Sequence, residues 1–158
     1  MYSILEEIIL KLKLIIPLLI FMIMASTGGI SLSSISAATP PVYGSVILNG
    51  EPLGFNAKPI IINGNTMVPF RQIFESLNMN VNWNSKTKNI TAQTTGLTIK
   101  MTLNSLKATV NDKNFTLTQS PFDSPEGTVY VNLRFISEAV GATVSWDNVQ
   151  KIASINTK

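Results

Sequence analysis

From Ser45 onward, apolar and polar residues alternate in short runs, broken by Asn-Gly pairs and by two stretches that change to a helical period. Val46-Ile47-Leu48, Asn49-Gly50 and Glu51-Pro52-Leu53 read as strand, turn and strand. Both central positions of a type I′ turn need positive φ, and Asn-Gly supplies them. Ile60-Ile61-Ile62, Asn63-Gly64 and Thr66-Met67-Val68 repeat the pattern. Pro69 has no N–H to give a ladder, so the strand is expected to stop there or to lie on an edge. Phe70, Ile73, Phe74 and Leu77 then fall at i, i+3, i+4 and i+7, which predicts a short helix. Asn78 follows it, where a left-handed residue usually ends a helix. Val81 and Trp83 alternate with Asn80, Asn82 and Asn84 as a strand with one apolar face.

The same text recurs near the C-terminus. Gly127, Arg134, Ile136, Glu138, Val144, Trp146 and Lys151 answer Gly64, Arg71, Ile73, Glu75, Val81, Trp83 and Lys88, all at an offset of 63 residues without a gap. Leu133, Ile136 and Val140 predict the second helix, and Gly141 takes the place of Asn78. Asn in one copy and Gly in the other is what a left-handed helix-ending residue requires. Between the copies, Leu97 to Leu103 alternates as a strand, and Ala108 to Leu117 reads as a hairpin about Asn111-Asp112. Asn49 and Pro59 precede Asn111 and Pro121 by 62 residues, so the beginning of the unit recurs as well. Self-similarity at a fixed period marks a repeated structural unit. The expected fold is α+β: a mostly antiparallel sheet with two short helices on a face, built from two tandem hairpin-strand-helix-hairpin units, about 46–107 and 108–158.

Ahead of this domain, Lys11 and Lys13 precede an apolar run from Leu14 to Ala25, and small and polar residues follow to Ala38. These are the parts of a secretory signal, and the run is shorter than the roughly 20 apolar residues that a membrane-spanning helix needs. Residues 1–38 are therefore expected to be a signal peptide cleaved after Ala38, the alternative being an uncleaved N-terminal anchor; 39–45 is a Pro-containing linker and 46–158 the exported domain.

Composition narrows the chemistry. The 158 residues contain no Cys and no His, which removes disulfides, thiolate or imidazole metal sites, and any Ser-His-Asp triad. The net charge is +3, and the twelve basic residues are scattered singly along the chain, with no run that would predict a nucleic-acid partner.

The stretches NGNTMVPFRQIFESLNMNVNWNSKTKNI and EGTVYVNLRFISEAVGATVSWDNVQKIASI resemble the stalk-type domain named after the N-terminal domain of copper amine oxidases. The residues that carry the resemblance are Gly64, Thr66, Val68, Pro69, Arg71, Glu75, Val81 and Trp83, then Val131, Arg134, Glu138, Gly141, Val144, Trp146 and Asp147. It covers about Val46 to Thr157; Asn132 stands where the pattern has Pro, and Ser124-Pro125-Glu126 departs from it in the second turn. The resemblance implies an accessory or spacer domain of secreted and cell-surface proteins of Gram-positive bacteria. In the oxidases, copper and the quinone cofactor belong to a separate catalytic domain with His ligands, so no metal or cofactor is expected here.

Among candidate sites, Arg71 with Glu75 and Arg134 with Glu138 are spaced i, i+4 and are expected to be structural ion pairs. Trp83 and Trp146 share strand faces with Val81 and Val144, which predicts core positions rather than sugar-stacking platforms. Tyr130, Asp123 and Glu126, about the Ser120–Gly127 loop, are the candidate binding surface; no catalytic constellation is evident. The expected function is that of a non-catalytic exported stalk or binding module, its partner a cell-wall polymer or another secreted protein. Membrane contact is expected only through an uncleaved leader, and the oligomeric state is left open. The alternatives are a small secreted hydrolase that uses carboxylates alone, and a purely structural dimerising unit.

Overall fold

A computed structural model of the chain describes residues 40–158. The expected leader, its apolar run and the cleavage after Ala38 lie outside the described residues. Among the described residues, no helix is long and apolar enough to cross a membrane.

The strands are β1 (Val42–Tyr43), β2 (Ser45–Leu48), β3 (Glu51–Pro52), β4 (Ile60–Ile62) and β5 (Asn65–Pro69), which runs directly into helix α1 (Phe70–Ser76). A meander follows: β6 (Asn80–Asn84), β7 (Asn89–Thr94), β8 (Leu97–Thr102), β9 (Lys107–Val110) and β10 (Lys113–Thr116). Then come β11 (Phe122–Asp123), β12 (Val129–Asn132), helix α2 (Leu133–Ala139), β13 (Thr143–Asp147) and β14 (Ile152–Asn156). The pieces expected from the pattern are present, mostly antiparallel and with two short helices, but they build three sheets instead of one. Strand order is β1-β4-β5-β12-β11 in the central sheet, β10-β9-β8-β7-β6 in the meander, and β13-β14-β2-β3 in the third. The reason is local: β5 and β12 each turn into a helix, so the strand after each helix starts a new sheet. The segment read as a linker carries β1, whose Val42 and Tyr43 pair with Ile61 and Ile60.

The Asn-Gly hairpins form as their φ requirement dictates, with Asn49 at 53° and Gly50 at 87°, and with Asn63 at 50° and Gly64 at 74°. Pro69 ends β5 as expected, although β5 is an interior strand. Each helix has only seven residues, too few to persist alone. Packing holds them: α1 buries Phe70, Ile73 and Phe74, and α2 buries Leu133, Ile136 and Ser137. Both end in the same way. Asn78 N donates to Glu75 O at 3.0 Å and Met79 N to Phe74 O at 2.9 Å. Gly141 N donates to Glu138 O and Ala142 N to Ser137 O, both at 2.9 Å. This double bond pattern about a left-handed residue is the Schellman ending.

At the centre, β5 and β12 pair antiparallel with Val68 opposite Val131, both fully buried. The remaining core collects around them, with Phe74, Ile73 and Ile136 from the helices and Ile90, Ile99, Met101 and Ile155 from the flanking sheets. One pairing is parallel: β14 lies beside β2, with Ala153 opposite Val46.

A Cβ at Gly141 would meet no atom within 4 Å, so only its φ of +78° demands glycine. Gly141→Ala should therefore cost about 1 kcal/mol in urea unfolding. Gly141→Asn, which installs the residue that ends α1, should cost less than half of that. Equal costs for the two would contradict this account.

Candidate functional site

The two helices begin differently. Pro69 precedes α1 and its side chain caps nothing. Asn132 precedes α2, is buried, and accepts from Phe135 N through Oδ1 at 3.1 Å. Its Nδ2 donates to Asn65 Oδ1 and to Thr118 Oγ1, both at 3.0 Å. Thr118 Oγ1 also donates to Asn65 Oδ1, and Asn65 Nδ2 donates to Asn63 O. A buried amide is costly unless its oxygen and nitrogen are both paired. Here both are, and one side chain ties α2 to β5 and to the segment after β10.

Beside this cluster lies a pocket of about 80 Å³, lined by Asn65, Asn132, Leu133, Arg134, Trp146 and Ala153 among others. It sits where a ring is missing. Phe70 packs against Trp83, with centroids 6.1 Å apart, and Lys88 Nζ lies 5.9 Å from the Trp83 ring centre. At the matching positions 63 residues on, Leu133 replaces the phenyl ring and Lys151 Nζ donates to Asn148 Oδ1 at 2.9 Å. Small-molecule sites usually run to roughly 300–1,000 Å³, so this recess suits a methyl or amide group and not a sugar chain.

The remaining candidate residues divide clearly. Arg134 and Glu138 form an ion pair at 3.6 Å, with both side chains 58% exposed, where such a pair contributes a few tenths of a kcal/mol. Arg71 and Glu75 do not pair as expected: Arg71 places its guanidinium carbon 5.3 Å from the centre of the Phe70 ring. Phe70 offers an aromatic face there, and Leu133 offers Arg134 none. Trp83 and Trp146 are half-buried and pack against the core. Gly141 ends α2.

Tyr130 corrects the expected binding surface. It is only 4% exposed, because it lies on a strand buried along its whole length. It stacks on Phe122 with centroids 5.3 Å apart, and its hydroxyl donates to Lys58 O at 3.1 Å. Burial, and then the nearby Glu126 charge, raise its pKa above the usual phenol value. Only Asp123 and Glu126 of the three are exposed, on a loop closed by Ser124 N to Thr128 O and Gly127 N to Ser124 O, each at 2.9 Å. The hydrogen bond with the Ser124 side chain holds the Glu126 carboxyl below its ordinary range. Among the described residues, no group of three His, Cys, Asp or Glu side chains gathers as a metal site would require. Asn132 and Leu133, which the sequence marks only as a departure from the family pattern and as a helix position, are the residues that shape this cluster and pocket. The first carried a signal, since Asn between a strand and an apolar helical run is a favoured cap.

A sequence profile for the copper amine oxidase N-terminal domain matches residues 47–155. No individually curated protein matches the chain.

Asn132→Ala removes the cap and strands the partners of a buried amide, so it should lower unfolding stability by about 2 kcal/mol. Thr118→Ala, which removes one spoke of the cluster, should cost less. For Tyr130, the unfolded chain loses the phenol proton above pH of about 10 while the buried phenol keeps it. Stability should therefore fall as pH rises from there towards the raised folded-state pKa. Tyr130→Phe should cost about 1 kcal/mol at neutral pH and flatten that alkaline fall. Urea midpoints measured from about pH 8 to 11 would reveal an unchanged slope if this assignment were wrong.

Proposed function

Because the chain belongs to the copper amine oxidase N-terminal domain family, whose members are non-catalytic accessory domains, we propose that it works outside the cell as an exported module that binds or spaces. The observation that carries this reading is where the family's hallmark residues go. Arg134 turns to Glu138, Arg71 to Phe70, the two tryptophans to the core, and Gly141 ends a helix. The two arginines make contacts within their own helices, the tryptophans pack on the core, and none of these residues lines a substrate cleft. A hydrolase would need two carboxylates facing each other across a substrate cleft. Asp123 and Glu126 stand exposed on a closed turn, Glu138 is paired, and the pocket over Trp146 is too small for a glycan.

Export is supported by the order of Lys11, Lys13, the apolar run and the small residues up to Ala38. We also infer that the body consists of two tandem units. Val68 pairs with Val131, its own counterpart 63 residues later, as a two-fold relation between such units would require. The partner we propose is a wall polymer or another surface protein.

Retention of the purified chain on peptidoglycan and on intact Gram-positive walls, at low and raised salt, tests the reading. Binding that persists in part at physiological salt is the expected outcome. The absence of retention on every wall preparation would overturn the wall-binding reading and leave a spacer.

A further inference from the structure

The recess over Trp146 has a filled twin in the other half of the chain. Beside Trp83, Phe70 supplies a ring, and Ile90, paired opposite Trp83 and fully buried, supplies a branched side chain. Beside Trp146 the positions 63 residues on hold Leu133 and Ala153, with Ala153 paired opposite the indole. Both exchanges remove side-chain volume, and the space left is the pocket of about 80 Å³. The polar lining changes as well. Thr66 and Asn132 line the recess, and at the same offset they correspond to Val129 and Pro69, neither of which has a polar side chain. One half has closed this place with apolar atoms; the other has left it open and polar.

The recess reaches solvent at one end, where Gly64 and Arg134 are exposed, and ends against Asn132, Leu133 and Ala153, which are buried. Leu133, Val144, Trp146 and Ala153 give it apolar walls. Three groups add polar capacity. Thr66 carries a hydroxyl. Asn65 Nδ2 gives one proton to Asn63 O at 3.0 Å and has a second to give. Arg134 meets Glu138 through Nη1 at 3.6 Å, beyond good hydrogen-bond distance, and as an exposed pair it is free to serve another acceptor. Asn132 has nothing left to offer, because its oxygen accepts from Phe135 N and its nitrogen serves Asn65 and Thr118. It holds the wall in place.

The occupant must be small, carry a methyl group, and offer both an acceptor and a donor. A bare methyl would take the polar groups out of water without pairing them. A carboxylate accepts but does not donate, and it would compete with Glu138 for Arg134. An acetamido group meets every demand. Its methyl suits the apolar walls, its carbonyl oxygen accepts from Asn65 or Arg134, and its N–H donates to the Thr66 hydroxyl.

We propose that this recess is a subsite for the acetamido group of an N-acetylated amino-sugar glycan. The substituent enters, and the sugar rings stay outside, since the recess is far below the roughly 300 Å³ at which small-molecule sites begin. So few contacting atoms hold weakly, with a dissociation constant of about a millimolar. The inference rests on the reading as an exported module that binds a wall polymer, and it names the part of the polymer that is recognised.

The test titrates the purified chain with chitotetraose, its fully deacetylated form and cellotetraose, which share one backbone and differ in the acetamido, amine or hydroxyl substituent. Calorimetry and indole fluorescence follow the binding. Chitotetraose should saturate the chain and bind about tenfold or more tightly than the other two. Leu133→Phe, which installs the residue that covers Trp83, should abolish that binding without lowering the thermal midpoint. Ala153→Ile, the other exchange, makes the same test if Leu133→Phe does not fold. Thr66→Val should weaken binding about fivefold without filling the recess. Tyr43→Ala, which removes an exposed ring outside the recess, should leave it unchanged. Equal binding of the three tetramers, no binding of chitotetraose, or binding that survives both Leu133→Phe and Thr66→Val would overturn the subsite. Wall retention that neither Leu133→Phe nor excess chitotetraose reduces would overturn the subsite and leave the exported-module reading intact. No retention on any wall, together with no chitotetraose binding, would overturn both the subsite and the wall-binding reading.

Discussion

The pairing of β5 with β12 is the constraint on which the rest of the structure depends. Each strand runs without a break into a helix, so the register that places Val68 against Val131 also fixes where α1 and α2 begin. A slip of one residue would turn every side chain of a strand to the other face. Here it would also swing a helix, and the strands after that helix, away from the core. The buried Val pair is small, but what it positions is large: Ile73, Phe74 and Ile136 reach the centre only because both strands end where they do.

Around that centre the two halves differ in how they are finished. The N-terminal half covers its tryptophan with Phe70 and Lys88; the C-terminal half has Leu133, a diverted Lys151 and the Asn132 cluster. Each choice has a neighbour that depends on it. Phe70 provides a ring for Arg71, and without that ring Arg134 turns to Glu138. Asn132 replaces the φ restriction of proline with a side-chain cap, and its second nitrogen bond requires Asn65 and Thr118 to be in place. One exchange of a core ring and one of a capping residue account for the pocket, the ion pair and the polar cluster together.

Much of this was legible in the sequence because it is local. Asn-Gly turns, the i, i+3, i+4 spacing of Phe70, Ile73 and Phe74, and the alternation of Asn78 with Gly141 each depend on a few adjacent residues, and φ at those sites follows from their chemistry. What was not legible depends on partners distant in sequence. Period-2 alternation says that Val46 and Ile155 face a core; it does not say that β2 and β14 lie side by side, or that three sheets form instead of one. Tyr130 shows the same limit at one residue. It stands next to an exposed turn in sequence, yet its strand lies between β5 and β11, where nothing local announces burial.

The parallel pairing of β2 with β14 has a mechanical consequence. The chain enters the body at Ser45, held by its N–H to Lys151 O at 2.9 Å, and leaves past Ile155, whose carbonyl accepts from Asn49 N at 2.8 Å. Tension applied at the start of one parallel strand and the end of the other pulls the two past each other along their length. Beyond the two-residue β1, which such a pull would peel away first, the bonds between β2 and β14 share the force in shear and must break together. A body pulled by its two chain ends resists most when loaded in this direction.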